Sequence, residues 1–161
     1  SNCDAGLNYF KFGISFLGDA AWQNESQNEL CRLLHEGAAA CSFTLGENQA
    51  CLRFASDIIT NAAFDVSLVG HYLYIRSLET LGRFSDGLNH GLGVFQKLGF
   101  HFPTELSRQA MMSTLERTKE AVYSKTFEEL TNPHQHMPTP TRNVYKLLDA
   151  CMVSANRIGS Y

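Results

Sequence analysis

Basic residues never run together in this chain, and no stretch approaches the roughly 18 uninterrupted apolar residues of a membrane span. Thirteen basic residues against 16 acidic ones leave a net charge of −3. The positive footprint of a nucleic-acid binder is therefore missing. A cationic start followed by an apolar core, the mark of a secretory leader, is also absent. Five cysteines, an odd number with no CxxC pair, read as buried thiols of a reducing compartment rather than a disulfide framework. The expectation is a cytoplasmic protein that engages neither membrane nor nucleic acid. Only four prolines, three of them in "TNPHQHMPTP", together with 44% apolar and 18% charged residues, place the chain among globular proteins rather than disordered or fibrous ones.

What the chain has is apolar residues at helical spacing over most of its 161 positions. Leu7, Phe10, Ile14 and Leu17 form one stripe, stopped by Gly18-Asp19, with Trp22 in a short link. From Glu25 to Leu45, Leu30, Leu33, Leu34, Gly37, Ala38, Cys41 and Leu45 repeat at spacings of three and four, and Gly46 stands where a left-handed helix stop belongs. Cys51, Phe54, Ala55, Ile58, Ile59 and Ala62 continue the pattern. Asp65 offers an N-cap for a helix through Leu81, closed by Gly82. Leu88, Gly91, Leu92, Phe95 and Leu98 mark a helix over Asp86 to Leu98, broken at Gly99 and Pro103; Thr104 caps the next, to about Tyr123. After the loop at 131–140, Thr141 to Ile158 is the last helix. No stretch alternates with period two, so the class is all-α, about seven helices in consecutive antiparallel hairpins.

Leu45-Gly46 and Leu81-Gly82 lie 36 residues apart, and each ends one helix just before another begins. When "LGENQACLRFASDII" is laid over "LGRFSDGLNHGLGVF", Cys51 falls on Gly87, Leu52 on Leu88, Ala55 on Gly91 and Ile58 on Val94. Small matches small and large matches large, the pattern of stacked helix pairs. It also gives a purpose to Gly37, Ala38, Ala39, Ala40, Cys41 and Ser42, which leave room for a neighbouring helix axis to approach. A further step of 36 lands on Thr118 in mid-helix, so the third hairpin leaves the period.

"LGRFSDGL", with Gly82, Phe84 and Gly87, resembles the turn of a tetratricopeptide repeat. More broadly, "YFKFGISFL" with Trp22, "LLHEGAAACSFTLGENQA", "YIRSLETLGRFSDGLNHGLGVFQKLGFHFP", and "FEEL" to "HMPTPTRNVYKLLDA" resemble the helical region that follows the ATPase module of large signalling ATPases. In that family the ATPase is fused to a Ser/Thr kinase in front and to sensor or cyclase output domains behind. The resemblance implies one tetratricopeptide-like domain over 1–161, a short right-handed superhelix cut from a longer protein. It also implies a non-catalytic protein-interaction or signal-relay role, with flanking domains or another signalling protein as partner. The family's nucleotide-binding motif has no counterpart, since GxxxxGK[ST] occurs nowhere in the chain. The start at Ser-Asn-Cys and the close "SANRIGSY" also read as a fragment.

No catalytic, cofactor-binding or metal-binding constellation emerges. His35-Glu36 is half of a zincin helix, but the second His would stand at position 39, where Ala39 is found. His134 and His136 lack a Cys or carboxylate at ligand spacing. Glu116 and Glu120, beside Arg117 and Lys119, read as a solvated helix face. Cys31, Cys41 and Cys51 are spaced by ten but divided by the turn at Gly46. One surface is kept: in a tetratricopeptide-like stack the helix ending at Gly82 lines the concave side, placing Val69, Tyr72, Arg76 and Glu79 along a candidate partner groove. The alternative is a small-molecule sensor with a ligand held between hairpins among the 11 Phe and six Tyr side chains.

Overall fold

A computed structural model describes residues 2–102, 108–124 and 139–159. Seven α-helices and one short 3-10 helix make up the described residues, and no strand occurs among them. The helices are α1 (Asn2–Leu17), α2 (Asn28–Thr44), α3 (Asn48–Asn61), α4 (Leu68–Thr80), α5 (Phe84–Lys97), α6 (Arg108–Tyr123) and α7 (Thr139–Ile158); the 3-10 helix spans Asp19–Gln23. No helix of the described residues is long and apolar enough to cross a membrane.

The stops fall where glycine permits them. Gly46, Gly82 and Gly99 have φ of 77°, 73° and 85°, a region that costs other residues energy. Each closes its helix with the same pair of bonds. At Gly46, Glu47 N donates to Ser42 O (2.8 Å) and Gly46 N to Phe43 O (3.1 Å), and the same bonds recur around Gly82 and Gly99.

The starts differ more from expectation. Helix α2 begins at Asn28 rather than Glu25, because the Asn24 side chain takes the Ser26 N–H (3.0 Å) and holds a turn that competes with the helix. Asp65 does not cap α4. Residues 64–67 form a turn in which Ser67 Oγ donates to Phe64 O (2.9 Å), and the helix starts at Leu68. Helix α5 starts two residues early, at Phe84, and α7 at Thr139, with Pro140 in the first turn where its missing N–H is harmless. Trp22 is buried in the 3-10 helix rather than carried on a plain link. Pro103, Thr104, His134 and His136 lie outside the described residues.

Packing follows the chain from α1 to α5, each helix against the next. A Cβ on Gly6 would meet Cys41, one on Gly37 would overlap the Phe10 ring, and one on Gly13 would press on Leu34, so α1 and α2 run antiparallel in close contact. Ala38, Ala39 and Ser42 of α2 are fully buried, Ala39 in a cluster with Cys51, Ala55 and Leu73. The order then departs from a simple succession. The helix against both α4 and α5 is α7. It runs antiparallel to α5, with Ser154 opposite Gly87 and Cys151 opposite Gly91. It runs parallel to α4, with Lys146 over Tyr72 and Ser154 on Glu79. The glycine face of α5 accepts it because Leu147, Ala150, Cys151 and Ser154 form a buried stripe with small residues at the contact.

Since Ala38 has no exposure, Ala38→Leu should overpack this interior and cost about 1 to 2 kcal/mol. Urea melts check it, with Glu120→Leu, at an exposed residue of α6, as a control within about 0.5 kcal/mol of the parent. Equal stability of Ala38→Leu and parent would show an unfilled volume there.

Candidate functional site

The four residues of the candidate groove lie on α4 but do not stand open together. Val69 packs on the cluster of Ala39, Cys51, Ala55 and Leu73, and Tyr72 is wedged between that cluster and the one built from Leu68, Ile75, Val94, Phe95 and Leu147. The Lys146 amine of α7 sits 5.8 Å from the Tyr72 ring centroid. Glu79 is buried, accepts a hydrogen bond from Ser154 Oγ (2.7 Å) and lies 3.2 Å from an Arg76 guanidinium nitrogen. Burial raises its carboxyl pKa, against the pull of Ser154 and Arg76. The C-terminal half of this face is therefore packed against α7, with Glu79 paired to Arg76 and Ser154, while Arg76 Nε and Glu79 Oε2 make no hydrogen bond.

A second constellation has the outward form of a thiol catalytic triad. Cys31 Sγ lies 3.7 Å from His35 Nδ1, and His35 Nε2 lies 3.8 Å from Asp57 Oδ2. The hydrogen bonding argues against that chemistry. His35 Nδ1 sits 2.8 Å from the Cys31 carbonyl oxygen, which can only accept, so the proton belongs on Nδ1 and that nitrogen has no lone pair for the thiol. The Cys31 thiol is raised above its usual pKa by burial first, then by Asp19 and Asp57, the opposite of an activated nucleophile. The imidazole is packed between Trp22 (ring centroids 4.9 Å) and Phe54 (6.1 Å). It ties the 3-10 helix, α2 and α3 together.

The same tie recurs one repeat later. His71 Nδ1 and His90 Nε2 are 2.8 Å apart, flanked by Phe64 and Tyr74. His35 and His71 differ by 36 positions, as do Phe54 and His90, so the His–Phe pair of α2 and α3 becomes a His–His pair in α4 and α5. Burial, then His90 and Lys97, pushes His71 down to about 4, and burial with Lys97 lowers His90. Both rings are neutral, and one N–H donates to the other's lone pair. Among the described residues no group of three or more His, Cys, Asp or Glu side chains is placed to hold a metal. Glu116 and Glu120 are exposed on α6 with Arg117 and Lys119.

One surface was not anticipated. Tyr9, Phe12 and Phe16 on α1 are 76%, 72% and 81% exposed. Their signal was present in the sequence as a second stripe, Ala5, Tyr9, Phe12 and Phe16 at spacings of four, three and four, beside the stripe that packs on α2. The histidine pair could have been found by extending the 36-residue overlay back to His35. Comparison with protein-family models, with curated proteins and with solved structures yields no match.

Proposed function

We propose that this chain is a non-catalytic helical interaction module, of tetratricopeptide-like superhelical type, that relays signals within a larger cytoplasmic ATPase-linked protein. The observation that carries the interaction reading is the row of exposed aromatic side chains on α1, Tyr9, Phe12 and Phe16. Large exposed apolar patches mark binding surfaces far more often than they mark chemistry. The described groups that mimic chemistry support the same reading. His35 between Trp22 and Phe54, His71 with His90, and Glu79 with Ser154 each join neighbouring elements and are wholly or partly buried. The ATPase link rests on the sequence resemblance, carried most specifically by "LGFHFP" after α5.

Two measurements test this. The purified chain should hydrolyse nucleoside triphosphates, phosphoesters and peptides no faster than buffer. Turnover that tracks the protein and disappears on a single substitution would overturn the reading. A thermal-shift screen against metabolites should leave Tm unchanged, because a ligand that binds only the folded chain must raise it. A metabolite that raises Tm by several degrees would replace the module with the sensor.

A further inference from the structure

We infer that the exposed face of α1 is a self-association surface, on which a second copy of this chain lays its own α1 antiparallel about a two-fold axis. The inference rests on the interaction reading and names its partner. Helix α1 has two apolar stripes. Gly6, Phe10 and Gly13 face α2, whereas Ala5, Tyr9, Phe12 and Phe16 are exposed. At about 100° per residue the stripes lie about 100° apart around the helix.

Helix α3 shows what such a second stripe is for. It packs on α2 through Phe54 and Asp57, which meet His35, and on α4 through Ala55 and Ile58, which meet Gly70. Its two faces are separated by about the same angle in the same sense. The exposed stripe of α1 thus corresponds to the side of α3 on which the fold places another antiparallel helix. The antiparallel register of α1 and α2 turns Leu33, 47% exposed, to that side as well.

A copy of α1 fits there. A two-fold axis between Tyr9 and Phe12 sets Tyr9 against the partner's Phe12 and Ala5 against the partner's Phe16, small beside large, in an isologous contact. The bordering residues Asn2, Asn8, Gly13 and Ser15 are uncharged, so no like charges meet. Three rings of about 150–250 Å² each, roughly three-quarters exposed, supply on the order of 350–550 Å². With Ala5 and Leu33 the contact buries about 1,000 Å² over both copies, the lower bound of a specific interface and consistent with micromolar affinity.

Light scattering coupled to size exclusion tests this on the purified chain up to about 100 μM. The mass should rise with concentration from 18.0 kDa towards twice that value. Phe12→Glu should hold the mass at the monomer value with an unchanged helical spectrum, and Phe16→Ser serves if Phe12→Glu loses helix. Tyr145→Glu, at an exposed aromatic on α7, should dimerise like the parent. A parent that stays monomeric throughout overturns the inference and leaves the face to a helix of different sequence, without touching the non-catalytic reading. Association that survives both α1 substitutions, or grows past two copies, overturns it as well.

Discussion

Ile75→Ala is expected to lower the unfolding free energy by about 3 to 4 kcal/mol, near the upper end for loss of a buried aliphatic side chain. Ile75 has no exposure and belongs to the cluster of Leu68, Val94, Phe95, Leu147, Ala150 and Cys151. It fills the space that Gly87 and Gly91 leave empty. Cβ atoms there would lie 3.5 Å and 3.2 Å from its Cγ2 and Cδ1. Backbone in van der Waals contact with this side chain cannot close in after it is cut back, because α5 is also held by α7 through Cys151 and Ser154. The cavity therefore stays, and its energy adds to the transfer term. Urea melts followed by far-UV dichroism measure the loss. A change below about 1 kcal/mol would mean that α4, α5 and α7 do not share one packed interior.

Acid should destabilise the chain through the histidine pair by about 2 to 3 kcal/mol, allowing for partial solvent screening. His71 is held neutral in the fold, with its pKa lowered from 6.5 to about 4 by burial, then by His90 and Lys97. Once unfolded it takes up a proton near pH 6.5 and the folded form does not, so the unfolded state binds more protons between these values. Stability is thus full above about pH 6.5 and falls as pH drops towards about 4, below which this contribution levels off. His90 shifts in the same direction. Glu36, Asp57 and Glu79 have raised pKa values from burial and act oppositely as the pH falls. The contrast to measure is therefore parent against His71→Gln combined with His90→Phe. These changes leave the carboxylates untouched, and the second one copies Phe54 of the preceding repeat. Urea midpoints across this range should fall more steeply for the parent. Parallel curves would show that the pair is protonated as readily in the fold as out of it.

The parts legible in the sequence are those written in neighbouring residues. Three-and-four spacing identified α1, α2, α3, α5 and α7, caps and stops alone suggested α4 and α6, and Gly46, Gly82 and Gly99 marked stops that the backbone confirms with positive φ. Helix starts were read less well, since Asn24 and Ser67 satisfy backbone groups with local turns that compete with a cap. The candidate groove was read from repeat geometry without the helix that lies on it. Nothing near Glu79 in the sequence announces Ser154, 75 positions away.

Length, composition and apolar periodicity by themselves determined an all-helical chain with close contacts along small residues, because helix formation and helix stops are decided within a few residues. Only the tertiary structure decided that α7 is the helix that docks on α5, that Glu79 is buried beneath it, that His71 meets His90, and that one apolar stripe of α1 is covered while the other is exposed. These outcomes depend on which surfaces meet. Several helices here carry an apolar stripe, and the choice among them falls to shape, as where the bare backbone of Gly87 and Gly91 admits Ser154 and Cys151.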